Sequence, residues 1–444
     1  MRLIKCSLRK IYSYFEALIL DIQNLSTEEL QVLEQELAQE YQSFQEQDLK
    51  LDLTRGKPSS EQLSLSDELD GILNGNYKNE EGTDTRNYGG IDGIAEMKRL
   101  GASILGVAES EILVGGNSSL TLMYQSVLHA YLFGFNGPNS AWNKEDKVKF
   151  ACPVPGYDRH FSICEAFGIE MVTVPMTENG PDIEALTELV TNDPSVKGIW
   201  CVPKFSNPTG IIYSDETVNA IAGLAKIAGP NFKVFWDNAY AVHELVPNTK
   251  ALANILACAK EQGTEDSILQ FTSTSKITHA GSGVAFLGAS EKTLASFRSS
   301  LGVATIGPDK VNQLRHALLL PNMDALATHM RKHADILKPR FDIVLSTLKE
   351  AFEGSTLGSW ESPLGGYFVS FDTLPGLAKT VVGMAAQAGV KLTPAGATFP
   401  YGKDPEDKNI RIAPSVPNLE EIEQAMKIFV NCVKLASVRQ ALAG

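Results

Sequence analysis

The chain has 444 residues, of which 43% are apolar and 21% are charged, and its formal net charge is −14. This composition is typical of a globular protein of two or three domains, large enough to fold without metal or disulfide staples. The acidic balance argues against a general nucleic-acid binder, which needs a basic face for phosphates. The 6 cysteines are scattered, so we predict reduced thiols and no metal site.

The N-terminal stretch MRLIKCSLRKIYSYFEALIL is basic and then apolar. Polar residues such as Glu16 interrupt the apolar part, which is too short and too polar to span a membrane, and no small-residue cleavage site follows. We therefore expect residues 1–24 to be an untargeted extension or a helix. The protein is expected to be cytoplasmic and not to bind membranes.

The next elements form a helix, a short strand and then a long alternating region. A helix is predicted over 25–45, where Ser26 caps the N-terminus and Glu29 completes a capping box. A short strand is predicted within LDLTRGKP (51–58). From about 60 to 310, helical patterns alternate with apolar runs, namely KFACPV, MVTVPM, VKGIWCVP, FKVFWD, ILQFTST and VAFLGA. Such runs are typical of parallel strands buried on both faces, and the alternation predicts an α/β domain.

The remainder of the chain has a different pattern. A long helical region, 312–352, is followed by the strand-like segments GGYFVSFD, VKLTPAG and NIRIAPS and by a last helix. This is an α+β pattern. We predict a large domain over 61–310 and a small C-terminal domain over 311–444, which the N-terminal segment 1–60 joins.

Polar residues that could take part in catalysis or ligand binding follow several of the apolar runs. Lys276, in FTSTSK, follows a predicted strand at the carboxyl end, where α/β proteins bind ligands. A lysine attacks a carbonyl only as the neutral amine and so needs an enclosed site. Asp237 ends the strand VFWD, three residues before Tyr240, and its carboxylate could hold a proton on a heterocycle nitrogen. Considered singly, Lys276 fits a surface lysine and Asp237 a helix cap equally well.

Three further motifs have the same placement. Asn207, in KFSNPTG, is suited to donate to a ligand hydroxyl, although a plain turn explains it too. The segment VGGNSSL (114–120) opens a helix whose N-terminus favours an anion, although it also fits a glycine turn with a serine cap. Tyr157, in CPVPGYDRHF, is placed to cover a planar ligand or to pack in the core. Because these motifs and the two above all follow apolar strands, together they predict one active site.

This order of motifs resembles the fold-type-I pyridoxal-phosphate enzymes, in particular the class I aminotransferases. The segments RNYGG, NSSL, PGYDRHF, KGIWCVPKFSNPTG and WDNAYAVHEL resemble most the type Ic subgroup of bacterial aspartate aminotransferases, with a match over roughly residues 50 to 435. The resemblance implies an α/β fold. Its large domain has a mainly parallel seven-stranded sheet between helices, beside a smaller α+β domain.

The resemblance also implies roles for individual residues. Lys276 would carry pyridoxal 5′-phosphate as a Schiff base and act as the acid and base of the reaction. Asp237 would pair with the protonated pyridine nitrogen. Asn207 and Tyr240 would hydrogen-bond the ring oxygen, with Asn207 also near the substrate, and Tyr157 would stack on the ring. The phosphate would be held by Gly116, Asn117, Ser118, Ser273 and Ser275.

Two implied roles involve a partner subunit and the substrate. Tyr88 would reach the phosphate from the other chain of an expected homodimer. Arg411 would bind the substrate α-carboxylate as a bidentate fork, and Gly56 would let the backbone approach the substrate. One departure is Gly283, which stands where many relatives have a phosphate-binding arginine. Candidates for binding a distal substrate carboxylate are Arg55, Lys57, Arg86 and Arg315.

The resemblance therefore predicts ping-pong transfer of the amino group from L-aspartate to 2-oxoglutarate, giving oxaloacetate and L-glutamate. An aminotransferase with another donor, or a lyase or decarboxylase on the same fold, is the alternative. A transcriptional regulator with an added DNA-binding domain does not fit, because the residues before the first motif are rich in Glu and Gln rather than basic.

Overall fold

The computed structural model describes residues 22–443, without the side chain of Gln23. The extension or helix expected over residues 1–24 lies outside the described residues except for a 3-10 helix at Ile22–Asn24. Between residues 22 and 443, no helix is both long and apolar enough to cross a membrane.

The strands follow the apolar runs of the sequence. They are β1 (Leu51–Leu53), β2 (Ile112–Val114), β3 (Lys149–Val154), β4 (Glu170–Thr177), β5 (Gly180–Pro181), β6 (Val196–Cys201), β7 (Lys233–Asp237), β8 (Ile268–Ser273), β9 (Ala285–Ala289), β10 (Gly358–Trp360), β11 (Val369–Thr373), β12 (Val390–Leu392) and β13 (Asn409–Ile412). The α-helices are α1 (Thr27–Gln45), α2 (Ser60–Ser64), α3 (Ala95–Leu105), α4 (Ser119–Leu132), α5 (Asp158–Ala166), α6 (Ile183–Asn192), α7 (Asp215–Gly223), α8 (Ile255–Gln262), α9 (Glu291–Ala304), α10 (Lys310–Leu319), α11 (Met323–Phe352), α12 (Ala378–Gln387) and α13 (Leu419–Ala443).

The central sheet has the strand order β2-β9-β8-β7-β6-β3-β4-β5. The strands β8, β7, β6, β3 and β4 run parallel to one another, whereas β9 is antiparallel to both β8 and β2. The two-residue β5 pairs antiparallel with β4 at the edge. Without β5, this is the mainly parallel seven-stranded sheet that was predicted, and the predicted fold class is confirmed.

The middle strands are apolar because helices cover the sheet on both faces. Every residue of β6 and of β7 is buried. Aromatic side chains from neighbouring strands fill one face: the ring centroids of Trp200 and Phe235 are 4.6 Å apart, and those of Phe235 and Phe271 are 6.0 Å apart. This rigid layer fixes the strand ends that follow it.

Two compact units make up the described chain. The larger comprises Lys57–Ile336 and Pro363–Gly366 and contains the central sheet. The smaller comprises the described residues up to Gly56, Leu337–Ser362, and those from Tyr367 onward. Residues 311–336, which the sequence placed in the small domain, group with the larger unit because the apolar face of α10 packs in the same core as α3.

In the smaller unit, β10, β11 and β13 form an antiparallel sheet, and β1 pairs parallel with β12. The predicted first helix and its capping box are confirmed: the Ser26 side chain accepts from the Glu29 backbone N–H at 3.3 Å, and the Glu29 carboxylate accepts from the Ser26 backbone N–H at 2.9 Å. The predicted long helical region 312–352 is two helices, α10 and α11. They are separated at Pro321, and Asn322 caps the second through its side chain.

Candidate active site

Site residues follow the carboxyl ends of adjacent parallel strands in the larger unit. In sheet order, β8 leads to Lys276, β7 ends at Asp237, β6 leads to Asn207 and β3 leads to Tyr157. Strand β2 runs in the same direction as β8, since both are antiparallel to β9, and it leads to Ser118. Five segments that are distant in the chain therefore meet at the end of the sheet formed by the carboxyl ends of these strands. This is where open α/β sheets bind ligands.

A cavity of about 120 Å³ lies at this end of the sheet. The predicted site residues that line it are Ser118, Tyr157, Asn207, Asp237, Tyr240, Ser273, Ser275 and Lys276. The cavity is also lined by Ser119, Leu120, Met123, Val202 and Ala239, which were not predicted. Its wall combines hydroxyls, one carboxylate, one amine and aromatic rings, as expected for a polar planar ligand.

Asp237 is buried, and only one of its two carboxylate oxygens has a hydrogen-bond partner among the described residues. Its Oδ2 accepts a hydrogen bond from His160 Nε2 at 3.0 Å. The His160 ring stacks on Trp200, with ring centroids 4.4 Å apart and planes 9° apart. The other oxygen, Oδ1, is buried and has no hydrogen-bond partner among the described residues. A buried carboxylate oxygen without a donor is costly. A protonated ring nitrogen in the cavity would supply the missing donor, so the residues present fit a pyridinium cofactor.

Lys276 is half-buried, and its Nζ lies 5.1 Å from the centroid of the Tyr240 ring. The Lys276 carbonyl lies 3.4 Å from His243 Nε2. Burial, and next the charge of Lys276, lower the pKa of His243 to about 3, so its imidazole is neutral. The amine of Lys276 therefore lies against the Tyr240 ring in the wall of the cavity, and its backbone carbonyl lies against a neutral imidazole.

The opposite wall of the cavity is built from the N-terminus of α4 and the turn after β8. Ser118 caps α4, and its hydroxyl accepts from the Leu120 backbone N–H at 3.2 Å. Ser275 Oγ donates to the Asn117 carbonyl at 2.9 Å, and Ser273 Oγ donates to Ser275 Oγ at 3.1 Å. These bonds join the two segments and bring hydroxyls to a helix N-terminus, which favours an anion.

Two of the residues predicted to bind phosphate do not line the cavity. The Asn117 side chain donates instead to the Gly281 carbonyl at 3.2 Å. A Cβ built on Gly116 would meet no atom within 4 Å, so this glycine faces open space beside the cap of α4. Neither therefore contributes a side chain to the wall of the cavity.

Gly283, which stands where many relatives have an arginine, lies too close to Ser275 to carry a side chain without a shift of its neighbour. A Cβ on Gly283 would lie 3.0 Å from the Ser275 backbone nitrogen and 3.2 Å from its Oγ, which is tighter than ordinary contact. A larger side chain there would displace Ser275. Among the cavity-lining residues of the described chain, Lys276 is the one cationic side chain.

The remaining predicted residues lie elsewhere. Tyr88 is 84% exposed in the larger unit. Gly56 and Arg411 belong to the smaller unit. Arg411 is buried on β13, where its Nε donates to Thr393 Oγ1 at 3.3 Å and its guanidinium lies 4.8 Å from the Phe368 ring centroid. A Cβ on Gly56 would lie 2.5 Å from the Phe368 ring, so that ring adjoins both predicted substrate-binding positions.

The candidates for binding a distal carboxylate are all exposed, and none lines the cavity. Arg86 already forms a two-pronged pair with Asp84, at 2.9 Å and 2.5 Å. This guanidinium lowers the pKa of the Asp84 carboxyl to about 2. The cavity therefore does not distinguish among Arg55, Lys57 and Arg315.

The sequence did not predict the residues that contact Asp237 and Lys276 without lining the cavity themselves, namely His160 and His243. His160 lies three positions after Tyr157 in the motif PGYDRHF, and yet its partner Asp237 lies on another strand. Helical spacing could have indicated that His160 and Tyr157 share a face, because residues three apart are neighbours. Nothing in the sequence joined His160 to Asp237 or His243 to Lys276.

Comparisons with known proteins show which family the chain resembles. The family model described as aspartate amino-transferase matches residues 25–444. An aspartate aminotransferase of Corynebacterium glutamicum is 44% identical over 417 residues, which cover 94% of this chain and 96% of that protein.

Solved structures give the same result. The crystal structure of an aspartate transaminase from Corynebacterium glutamicum has a TM-score of 0.91 at 44% identity, covering 94% of this chain and 98% of that one. An α-aminoadipate aminotransferase of Thermus thermophilus shares the fold at 20% identity, with a TM-score of 0.69 and coverage of 89% of this chain and 93% of that one. The predicted family is confirmed, and the chain belongs to the aspartate aminotransferase family.

Proposed function

We propose that this protein is a pyridoxal-phosphate-dependent aspartate aminotransferase that transfers the amino group of L-aspartate to 2-oxoglutarate and releases oxaloacetate and L-glutamate. The observation that carries the proposal is the buried Asp237 Oδ1, which has no donor in a cavity that also holds Lys276. Membership of the aspartate aminotransferase family supports the reaction, and the 44% identical relative from Corynebacterium glutamicum supports the substrate.

Asp237, His160 and the aromatic wall would bind the cofactor ring. Pyridoxal phosphate, when bound, supplies a conjugated ring that takes up the electron pair of a broken Cα–H bond. The Asp237 carboxylate would hold a proton on the ring nitrogen, and the His160 hydrogen bond fixes the direction of the carboxylate. Asn207 and Tyr240 would donate to the ring oxygen, and Tyr157 would cover one face of the ring.

Lys276 would supply the covalent link and the moving proton. Lys276 and Tyr240 both line the cavity, and the Lys276 Nζ lies 5.1 Å from the Tyr240 ring centroid. Displaced by the substrate amino group, this amine would take the proton from the substrate Cα and deliver it to the cofactor C4′. Such general acid–base catalysis needs a group held within hydrogen-bond reach of the proton that it moves.

The phosphate would bind at the N-terminus of α4. The backbone N–H groups of its first turn and the hydroxyls of Ser118, Ser273 and Ser275 would surround a dianion. These donors and the helix dipole would do the work that an arginine does in many relatives, since Gly283 leaves room for Ser275 instead. Gly116 and Asn117 would contribute backbone only.

Three parts of the proposal rest on the family resemblance. Arg411 would bind the substrate α-carboxylate, since a guanidinium matches a carboxylate with two parallel hydrogen bonds, and Gly56 would let the backbone approach the substrate. Tyr88 would complete the phosphate site of the partner subunit in a homodimer, and its exposure is consistent with that role. The enzyme would work in the cytoplasm, where unpaired thiols such as that of Cys201 persist.

The test is an assay of the purified protein with pyridoxal phosphate, L-aspartate and 2-oxoglutarate. Oxaloacetate and glutamate should form together, faster than the corresponding products of other amino donors. Lys276→Ala should abolish turnover and still fold, and a fully active variant would overturn the assignment. If aspartate is inert while another donor reacts, the substrate is wrong. Release of ammonia or carbon dioxide instead would indicate a lyase or a decarboxylase.

A further inference from the structure

Four histidines surround the three residues that begin with Lys276, although the whole chain has only 7. His243 lies against the Lys276 carbonyl, and His316 Nε2 lies 2.8 Å from the Thr278 hydroxyl. The residue between them, Ile277, is buried, and its carbonyl oxygen meets the other two histidines. All these groups belong to the larger unit.

The Ile277 carbonyl accepts two hydrogen bonds from one helix. His329 Nε2 lies 2.7 Å from this oxygen, and His333 Nε2 lies 2.8 Å from it. The two histidines are one turn apart on α11, so their rings lie side by side, with centroids 4.9 Å apart. A carbonyl oxygen has two lone pairs, and here an imidazole donates to each.

The hydrogen position on His333 follows from its other neighbour. Gln62 Oε1 accepts from the Ser59 backbone N–H at 3.1 Å in the capping box of α2, which fixes the orientation of the amide. Gln62 Nε2 therefore faces His333 Nδ1, at 3.0 Å, and donates to it. His333 then carries its hydrogen on Nε2, the nitrogen that meets the Ile277 carbonyl.

His329 has the same tautomer, because its Nε2 also meets a carbonyl, which can only accept. The two Nε2 atoms are 3.2 Å apart and both carry hydrogen, so they converge on the oxygen rather than bond each other. Burial lowers the pKa of His333 to about 4 and lowers the pKa of His329 as well. Lys332 and Glu68 act on the pKa of His329 in opposite directions. The pair is therefore neutral near pH 7.

The carbonyl needs these donors because the chain turns immediately after β8. The Thr274 carbonyl accepts from the backbone N–H groups of both Ile277 and Thr278, each at 2.8 Å. The Ile277 carbonyl lies beyond the last strand residue, inside the protein. A buried carbonyl without a donor destabilises the fold. The turn that carries Lys276 is thus stabilised by side chains of α2 and α11.

We propose that His329 and His333 are positioning residues for Lys276: together they hold the Ile277 carbonyl, and so fix the backbone from which the lysine projects into the cavity. The inference rests on the proposed function, since it assigns the histidines a task in presenting the Lys276 amine. It predicts that the pair affects covalent attachment of the cofactor more than binding of its phosphate and ring.

The test compares two ligands of the apo form prepared from the purified holoenzyme. Pyridoxal phosphate bonds covalently with Lys276, and pyridoxamine phosphate occupies the cavity without that bond. His329→Leu removes one donor and should slow the appearance of the covalent absorbance band about tenfold or more, because small misplacements of reacting groups are costly. Its Kd for pyridoxamine phosphate should stay within about twofold of that of the unmodified protein, because that ligand makes no bond to the lysine.

Two variants serve as controls. His329→Gln keeps an N–H donor and should restore most of the rate. His129→Leu removes another buried histidine, whose ring nitrogens lie 2.8 Å and 3.0 Å from Ser300 Oγ and Ser296 Oγ, and should leave the rate unchanged. An equal fold loss in the rate of covalent attachment and in affinity for pyridoxamine phosphate, or no loss in either, would overturn the inference. If the unmodified protein binds neither ligand, the proposed function itself fails.

A second measurement needs no variant and so does not depend on whether His329→Leu folds. Nitrogen NMR of histidine-labelled protein at pH 7 reports the tautomer of each ring. Both His329 and His333 should be neutral, with the hydrogen on Nε2. A hydrogen on Nδ1, or a second proton on either ring, would contradict the double donation to Ile277.

Discussion

Lys233 offers a prediction about stability that can be worked out from its surroundings. It is the first residue of β7 and is only 4% exposed. Its ammonium donates to the Asp266 carbonyl and lies 4.4 Å from the Phe135 ring centroid. Burial lowers the pKa of Lys233 from 10.5 to about 7, with Asp266 opposing and Lys292 adding to the shift. Replacing Lys233 by methionine should therefore stabilise the protein near neutral pH.

The magnitude follows from linkage between protonation and folding. The folded protein holds the Lys233 proton more weakly than the unfolded chain does, so the free energy of unfolding falls as pH drops from 10.5 towards 7 and then levels off. At about 1.4 kcal/mol per pKa unit, the cost at pH 7 is about 4 kcal/mol. Lys233→Met would remove this cost and lose a hydrogen bond and a cation–π contact, together worth about 2 kcal/mol. The Asp266 carbonyl would keep Thr293 Oγ1 as a donor, at 3.0 Å.

The assay is equilibrium urea unfolding of the two proteins at pH 7 and at pH 10, with fluorescence and circular dichroism recorded together. Lys233→Met should be more stable than the unmodified protein by about 2 kcal/mol at pH 7 and less stable by about 1 kcal/mol at pH 10, a change of about 3 kcal/mol. The matched control is Lys292→Met, which removes an exposed lysine that contacts the same residue, Asp266, at 2.6 Å. This control should change stability by less than about 1 kcal/mol. A Lys233→Met protein that is less stable at pH 7, by an amount independent of pH, would refute the reasoning.

Three predictions concern the site. His160→Leu should lower kcat about tenfold to a hundredfold in the aspartate assay, because it removes a charge-assisted hydrogen bond to Asp237; an unchanged kcat would contradict the role of His160. Gly283→Ala should weaken binding of pyridoxamine phosphate about tenfold in a fluorescence titration, because its Cβ displaces Ser275, whereas Gly281→Ala should not, because its Cβ meets nothing within 4 Å. Thr393→Val should raise KM about threefold to tenfold for both aspartate and 2-oxoglutarate, because it removes a hydrogen bond that orients Arg411; a rise for one substrate alone would argue against binding of a shared α-carboxylate.

The sheet and most cavity-lining residues could be predicted from the sequence because the patterns that indicate them are local. An apolar run such as that of β7 marks a strand, and the polar residue after it, Asp237, marks the carboxyl edge. The parallel direction of the strands then requires such residues to meet. This is why Lys276, Asn207 and Tyr157 could be assigned to one site although no two share a segment.

The support around these residues could not be predicted in the same way. The donors to Ile277 come from α11, and the tautomer of His333 depends on Gln62, far away in the chain. No local pattern encodes such a contact, because a buried histidine in an amphipathic helix fits simple packing equally well. The predicted start of the small domain at residue 311 differs from the observed division after Ile336 for a similar reason. The sequence pattern of α10 identifies its apolar face, but it does not indicate which hydrophobic core that face packs into.

The pairing of β7 with β8 places Asp237 opposite Phe271. This pairing, and not the length of the chain between them, holds Asp237 beside the strand that leads to Lys276. Added segments at the opposite edge of the sheet could therefore accumulate during evolution, or be inserted by design, without moving these groups. A slip of one residue between the two strands would instead turn every side chain of β8 to the other face. Strand alignment, rather than the lengths of the connections, is therefore the feature that a redesign of this enzyme would have to preserve.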